Sequence, residues 1–410
     1  MPFAALWGSP PISAPAIFQP FPLPFITEAH YAQWGGLERQ VVFPQEQVSG
    51  GPPVMVRETD ADFHGSAPLR YDFPAVTLTT LNDVVVRGRS NILTAPESII
   101  RHGLIDLATD VTPDEFYGRL KVSEAGTRLG WMGTDRFNVD YLPEAVVFTD
   151  WTGVNYAHWL TEVLPRVTTY VQARGPGAAP LLIDADLHVN IVQSLHAVAG
   201  PDVVLHRLRS DQLVRVGVLH NISPTGYVPF KFRPQPVETL PQGVFGARAL
   251  RATVDRLRHL AGPVGFDRPR VFIRRQSTGR HVPNEAEIAE VLEAKGFVTV
   301  RPESLSLPEQ VSLYSRARMV VGATGAAFAN LIFCQADCPI VVFMPRFRHL
   351  AYWYWRRMAA AAGAGPVIHV DGDQVNTLDD PFHPLALHQD FRMELSDVLK
   401  AVEIAEALAP

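Results

Sequence analysis

Between Arg270 and Phe343 a basic strand, two helical stretches with capping residues and a glycine-rich strand-to-helix turn follow one another. That order predicts half of an open α/β fold of the kind that holds nucleotides, and it constrains the chain more than any other feature. The turn reads Val320-Val321-Gly322-Ala323-Thr324-Gly325-Ala326-Ala327-Phe328-Ala329-Asn330. Its small residues let a helix N-terminus approach an anion with free N–H groups and a positive dipole end. Such a turn also serves simple packing of strand on helix, because glycine relieves strain at φ > 0. The preceding strand favours the anion. Arg270-Val271-Phe272-Ile273-Arg274-Arg275 leads to Arg280, so five arginines fall between residues 268 and 280, and guanidinium forks match phosphate oxygens. By strand alternation Arg274 faces away from Arg275.

At 410 residues the chain is long for one core and predicts two or three domains. Its 36 Lys and Arg against 42 Asp and Glu give a net charge of −6, which excludes the global basic field of a nucleic-acid-binding protein and leaves any positive patch local. Cys334 and Cys338 are too few for a disulfide framework or a four-cysteine zinc site, and read as buried thiols in a reducing compartment. The sequence opens without a charged leader pattern, and its apolar tracts fall short of the roughly 20 residues that span a bilayer. The expectation is a cytoplasmic protein without a transmembrane segment, with peripheral attachment to the inner face of the membrane left open.

In chain order, residues 1–30 carry seven prolines among Phe and Leu, which predicts an extended arm. Short β-branched runs such as Ala75-Val76-Thr77-Leu78 and Asp83-Val84-Val85-Val86 make 31–142 a β-rich region. Residues 143–223 read β-α-β-α-β, beginning with Ala145-Val146-Val147-Phe148 and a helix over 155–171. On that helix Tyr156, Trp159, Leu160, Val163 and Val167 form an apolar stripe; Asn155, His158, Glu162, Arg166 and Thr169 lie opposite, and Pro165 predicts a kink. The proline- and aromatic-rich residues 224–241 read as a linker, 242–365 as a second α/β unit and 366–410 as a segment ending in a docking helix. Within the second unit Asn284 and Glu287 predict a helix start, Gly296 its stop, and Ser306 with Glu309 a capping box. Tyr352, Trp353, Trp355 and Met358 read as core, with a sugar-stacking platform as the alternative.

The run Phe272 to Phe297, followed by Pro302-Glu303-Ser304-Leu305-Ser306-Leu307, resembles the second half of the glycosyltransferase family 61 domain. Upstream, Asn155-Tyr156-Ala157-His158-Trp159-Leu160-Thr161-Glu162-Val163-Leu164-Pro165-Arg166 is similar to the family's other hallmark. The resemblance implies a GT-B-like architecture, two Rossmann-like lobes with a cleft between them. It also implies an inverting, metal-independent transfer from a nucleotide-sugar donor to a glycan or other hydroxyl acceptor. That donor, expected to be UDP-linked, is a substrate and no further cofactor is implied; cell-surface or capsular polysaccharide synthesis is one setting. The resemblance assigns Arg275 and Arg280 to the donor diphosphate and matches Asn284, Glu285 and Asn330, with Gly322, Thr324, Gly325 and Ala326 forming the donor turn. Glu285 reads equally as a ribose contact or as a charge favouring its helix start. The turn departs from the family in Thr324 and Ala327, where a histidine and a further glycine are usual.

Inverting transfer needs a base for the acceptor hydroxyl and positive groups for the departing diphosphate. On spacing alone His158 and Glu162 are an ordinary i,i+4 pair. With the resemblance, His158 is the expected base, because an unperturbed pKa of about 6.5 suits neutral pH better than a carboxylate near 4.3, and Glu162 orients its ring. A rival reading takes Asp184-Ala185-Asp186 as Mg²⁺ or Mn²⁺ ligands, although Asp-x-Asp recurs at Asp60 and Asp371. Two classes without transfer also remain: a nucleotide-sugar or glycan-binding protein, and a sugar-nucleotide epimerase.

Overall fold

The computed structural model describes residues 23–57, 67–122, 128–132, 139–233, 243–262, 267–275, 280–346, 353–375 and 388–409. The prolines before Leu23, Asp60, Asp62, residues 234–241 of the expected linker and Tyr352 lie outside them.

Among the described residues the chain folds as an α/β protein with two large sheets, of eleven and seven strands. Apolar runs without a polar face, such as Ala145-Val146-Val147 and Met319-Val320-Val321, become strands buried on both sides. In the eleven-stranded sheet Asp140–Val147 lies between Leu213–Ile222 and Leu181–Asp184, with Leu205–Leu208 beyond, all parallel. Leu213–Ile222 then pairs antiparallel with the long strand Val76–Arg87, which brings N-terminal strands onto the same sheet. The expected boundary at 142/143 therefore falls inside a strand.

The seven-stranded sheet has the spatial order Phe297–Val300, Arg270–Ile273, Met319–Ala323, Ile340–Pro345 and Val367–Gln374, all parallel. Phe391–Arg392 adds to it antiparallel, and Val54–Met55 joins Val367–Gln374 from far upstream. In both sheets the winding direction reverses beside the first strand of the unit. One crevice therefore opens at the carboxyl ends of Asp140–Val147 and Leu213–Ile222, and another at those of Arg270–Ile273 and Met319–Ala323, the positions where open α/β sheets bind ligands.

Helices from both sheets share one apolar core, including Leu164 and Val167, Leu250 and Val254, Phe328, Trp355 and Met358. Thr253 donates to Thr168 across it at 2.8 Å. Trp355 and Met358 are thus core residues, and Cys334 and Cys338 are buried free thiols. The tail helix Leu395–Leu408 docks through Val398, Ala401 and Val402 onto a second core. Among the described residues no helix is long and apolar enough to cross a membrane.

Candidate active site

The segment after Asp140–Val147 builds the first half of the site. Asp150 caps the turn Trp151–Val154 by accepting from Thr152, and Asn155 caps the next turn by accepting from the Ala157 N–H. The helix expected over 155–171 is divided into a helical turn Tyr156–His158, a π-turn Trp159–Val163 and an α-helix Leu164–Arg174. Pro165 has no N–H to return to the preceding turn, and the wider π-turn absorbs that missing donor; such turns recur at functional sites. The expected polar stripe is also corrected, since Arg166 and Thr169 are buried. Arg166 satisfies its guanidinium on the Ile222 and Val147 carbonyls, each at 3.1 Å.

His158 and Glu162 meet as their spacing predicts, Nδ1 to Oε1 at 2.6 Å. The other Glu162 oxygen accepts the Val228 N–H at 3.1 Å, so the carboxylate is held from two sides. With Nδ1–H donated to Glu162, Nε2 keeps its lone pair for an incoming proton. Burial by itself lowers the His158 pKa, but the charge and hydrogen bond of Glu162, aided by the charge of Asp150, outweigh it and the repulsion of Arg280, leaving the ring above its ordinary 6.5. Behind Glu162 lies a narrow cavity of about 40 Å³ lined by Glu28, Asp150, Arg166, Asn221 and Tyr227.

The second half comes from the other sheet. Arg275 follows Arg270–Ile273, donates to the Thr324 carbonyl and lies against Gly325, where a Cβ would stand 2.5 Å from its Cζ. The turn continues as a 3₁₀ helix, Ala326–Phe333, in place of the expected α-helix. Burial and the neighbouring Arg280 pull the Arg275 pKa down to about 10. Arg280 has a left-handed backbone, φ 57°, its N–H donating to the His388 carbonyl at 3.3 Å. Its side chain has no hydrogen-bond or ion-pair partner among the described residues. His388 is pushed down to about 4, by burial first and then by Arg280, Lys231 and Arg275. Positive groups from two distant parts of the chain, Lys231 and the Arg275–Arg280 segment, thus converge on a neutral His388.

Several expected donor contacts are occupied elsewhere. Asn284 precedes the helix Glu285–Ala294 but makes no capping bond; its amide is exchanged with the Met393 backbone, at 2.8 and 3.2 Å. Glu285 accepts from Arg274 Nε at 3.1 Å and from the Arg275 N–H at 3.2 Å, so it fixes the strand end that carries Arg275. The buried Thr324 hydroxyl accepts from Trp355 Nε1 at 2.9 Å. Asn330 is fully buried, accepting from the Tyr156 hydroxyl at 2.8 Å and donating to Gln310 at 2.6 Å. Gly322 serves packing, since a Cβ there would lie 2.9 Å from that of Ile273.

Arg275, Ala326 and Ala327 line a cavity of about 310 Å³ together with Tyr156, Glu303 and Asn190, so it spans elements of both sheets. Tyr156 and Glu303 sit inside the resembling runs, yet their spacing gave no chemical signal, and nothing near His388 in sequence points to Arg280. The Asp184 and Asp186 pair diverges. Asp184 accepts the Arg89 and Asp150 N–H groups at 2.6 and 3.0 Å, is pushed up to about 6 by burial, and holds the strand end; Asp186 is exposed beside Arg89. No group of three or more metal-ligating side chains occurs among the described residues.

Residues 156–341 match the family model described as Glycosyltransferase 61. No curated protein matches the chain.

Proposed function

Through residues 156–341 this chain belongs to glycosyltransferase family 61, and from that premise we propose that it transfers a sugar with inversion from a UDP-linked donor to a glycan hydroxyl. The observation that carries the reading is that the charge of Arg280 reaches both His158, paired with Glu162, and Arg275, so the base pair from one switch point and the arginines from the other share one neighbourhood. His158 Nε2 takes the acceptor proton and the freed oxygen attacks the anomeric carbon. The bond from that carbon to the diphosphate breaks, and the departing charge falls on Arg275 and Arg280, which do the work of a divalent cation. The two sheets, each with its own crevice, support a two-lobed GT-B-like arrangement.

The test is nucleotide release from a panel of UDP-sugars in excess EDTA. Release is expected to persist, while Arg275→Ala and Arg280→Ala each weaken UDP binding by about 1.5–3 kcal/mol in calorimetry. Abolition by EDTA with rescue by Mn²⁺ would reverse the assignment of the arginines. A second reading, donor binding without transfer, is favoured by Thr324, whose neutral hydroxyl is taken by Trp355 where the family usually offers a histidine; UDP binding without release from any donor would select it.

A further inference from the structure

Near the His158–Glu162 pair the surface carries aromatic rings that the fold leaves in water. Phe116 and Tyr117, ending the short helix Pro113–Phe116, are 45% and 52% exposed. Tyr117 stacks on Trp151 with ring centroids 4.4 Å apart and an interplanar angle of 26°. Phe116 and Tyr117 both meet Phe230, at 5.5 and 5.9 Å.

These rings are held from below. Lys231–Phe232 pairs with Asp110–Val111, and Arg233 donates to the Glu115 carboxylate at 2.8 Å and to the Leu107 carbonyl at 2.9 Å. Arg119 donates to the Gly88 and Arg89 carbonyls and lies 5.3 Å over the Trp151 ring. A surface ordered in advance loses little freedom when something binds it. It is also continuous with the site. Trp151 follows Asp150, whose charge acts on His158, and Phe230 lies two residues after Val228, whose N–H holds Glu162.

We propose that Phe116 and Tyr117, backed by Trp151 and Phe230, form a stacking platform for a neutral glycan acceptor, gripping a sugar near the one whose hydroxyl meets His158. A pyranose has an apolar C–H face and a hydroxyl rim, and an aromatic face covers the first without competing for the second. The exposed rings offer on the order of 200 Å² by the usual size of such side chains, well below the roughly 800 Å² per partner of a stable protein interface. The proposal rests on the transferase reading, and its test separates the two.

The full chain is titrated calorimetrically with cellohexaose, xylohexaose, maltohexaose and chitohexaose, and independently with UDP. At least one hexasaccharide is expected to bind, and Tyr117→Ala and Phe116→Ala each to weaken it about tenfold with UDP affinity unchanged. Both side chains are exposed, so their removal leaves the core intact. Absence of binding by all four sugars, or equal binding by wild type and both variants, overturns the platform. So does a dimer in sedimentation velocity that Tyr117→Ala converts to monomer, since the rings would then be a self-contact. Glycan binding that survives in wild type without any UDP binding upholds the platform while removing the donor reading.

Discussion

Burial pulls the His158 imidazole toward neutrality, and Glu162 and Asp150 pull it toward charge strongly enough to prevail. A base must be neutral to accept a proton, so turnover is expected to fall as pH drops through a value above 6.5. Glu162→Gln keeps a hydrogen-bonding partner but removes the charge. Burial and Arg280 then lower the pKa, and the acidic limb of the kcat profile moves to lower pH. His158→Ala should cost about 10² to 10⁴ in turnover. The kcat profile with NMR titration of the His158 ring checks both; a limb unmoved by Glu162→Gln would take the base elsewhere. Stability runs the other way. With its folded pKa raised, protonated His158 stabilises the fold fully below pH 6.5, and that contribution is lost as pH rises through the folded value. The pair itself was legible in the sequence, because i,i+4 spacing puts both side chains on one face. The Val228 amide that fixes Glu162 and the charge of Asp150 were not, since neither belongs to the helix periodicity.

The glycine turn shows how two residues of one element carry different loads. A Cβ on Gly325 would meet the Arg275 guanidinium, at 2.5 Å from Cζ and 2.7 Å from Nε, which is the mobile end of a long side chain. A Cβ on Gly322 would meet Ile273 in the neighbouring strand, 2.9 Å from its Cβ and 3.0 Å from its carbonyl oxygen, where only a backbone shift gives relief. Gly325→Ala should therefore unfold near the wild-type urea midpoint yet lose UDP affinity as Arg275→Ala does. Gly322→Ala should cost about 1–3 kcal/mol of stability, the usual scale of overpacking. A Gly325→Ala protein with unchanged UDP affinity would detach Arg275 from the nucleotide. At this scale the strands, the Gly296 stop and the Ser306–Glu309 capping box follow from local pattern. The Asn284 cap does not form, because the Met393 backbone, 109 residues away, satisfies both ends of its amide.

For the molecule as a whole, alternating strand and helix patterns foretold an α/β fold, but not the destinations of Val76–Arg87 or Val54–Met55. A strand's periodicity gives its faces and leaves its partner undetermined, so segments between 31 and 142 reach both sheets without a local signal. The shared core was equally hidden, and at its edge the Tyr156–Asn330–Gln310 chain of hydrogen bonds joins the His158 segment to the second sheet's turn. Tyr156→Phe leaves the Asn330 carbonyl oxygen buried without its donor, which should cost about 1–3 kcal/mol in urea unfolding. Asn330→Ala should cost as much or more, since it strands the Tyr156 hydroxyl and Gln310 together. Both substitutions break the same Tyr156–Asn330 bond, so the double variant should fall short of the sum of the singles by at least about 0.5 kcal/mol, as expected for coupled neighbours. Tyr156 also lines the cavity beside Arg275, so loosening this joint should weaken UDP binding even though the hydroxyl itself points at Asn330. Strict additivity with unchanged UDP affinity would mean that the shared apolar core alone sets the two halves of the site against each other.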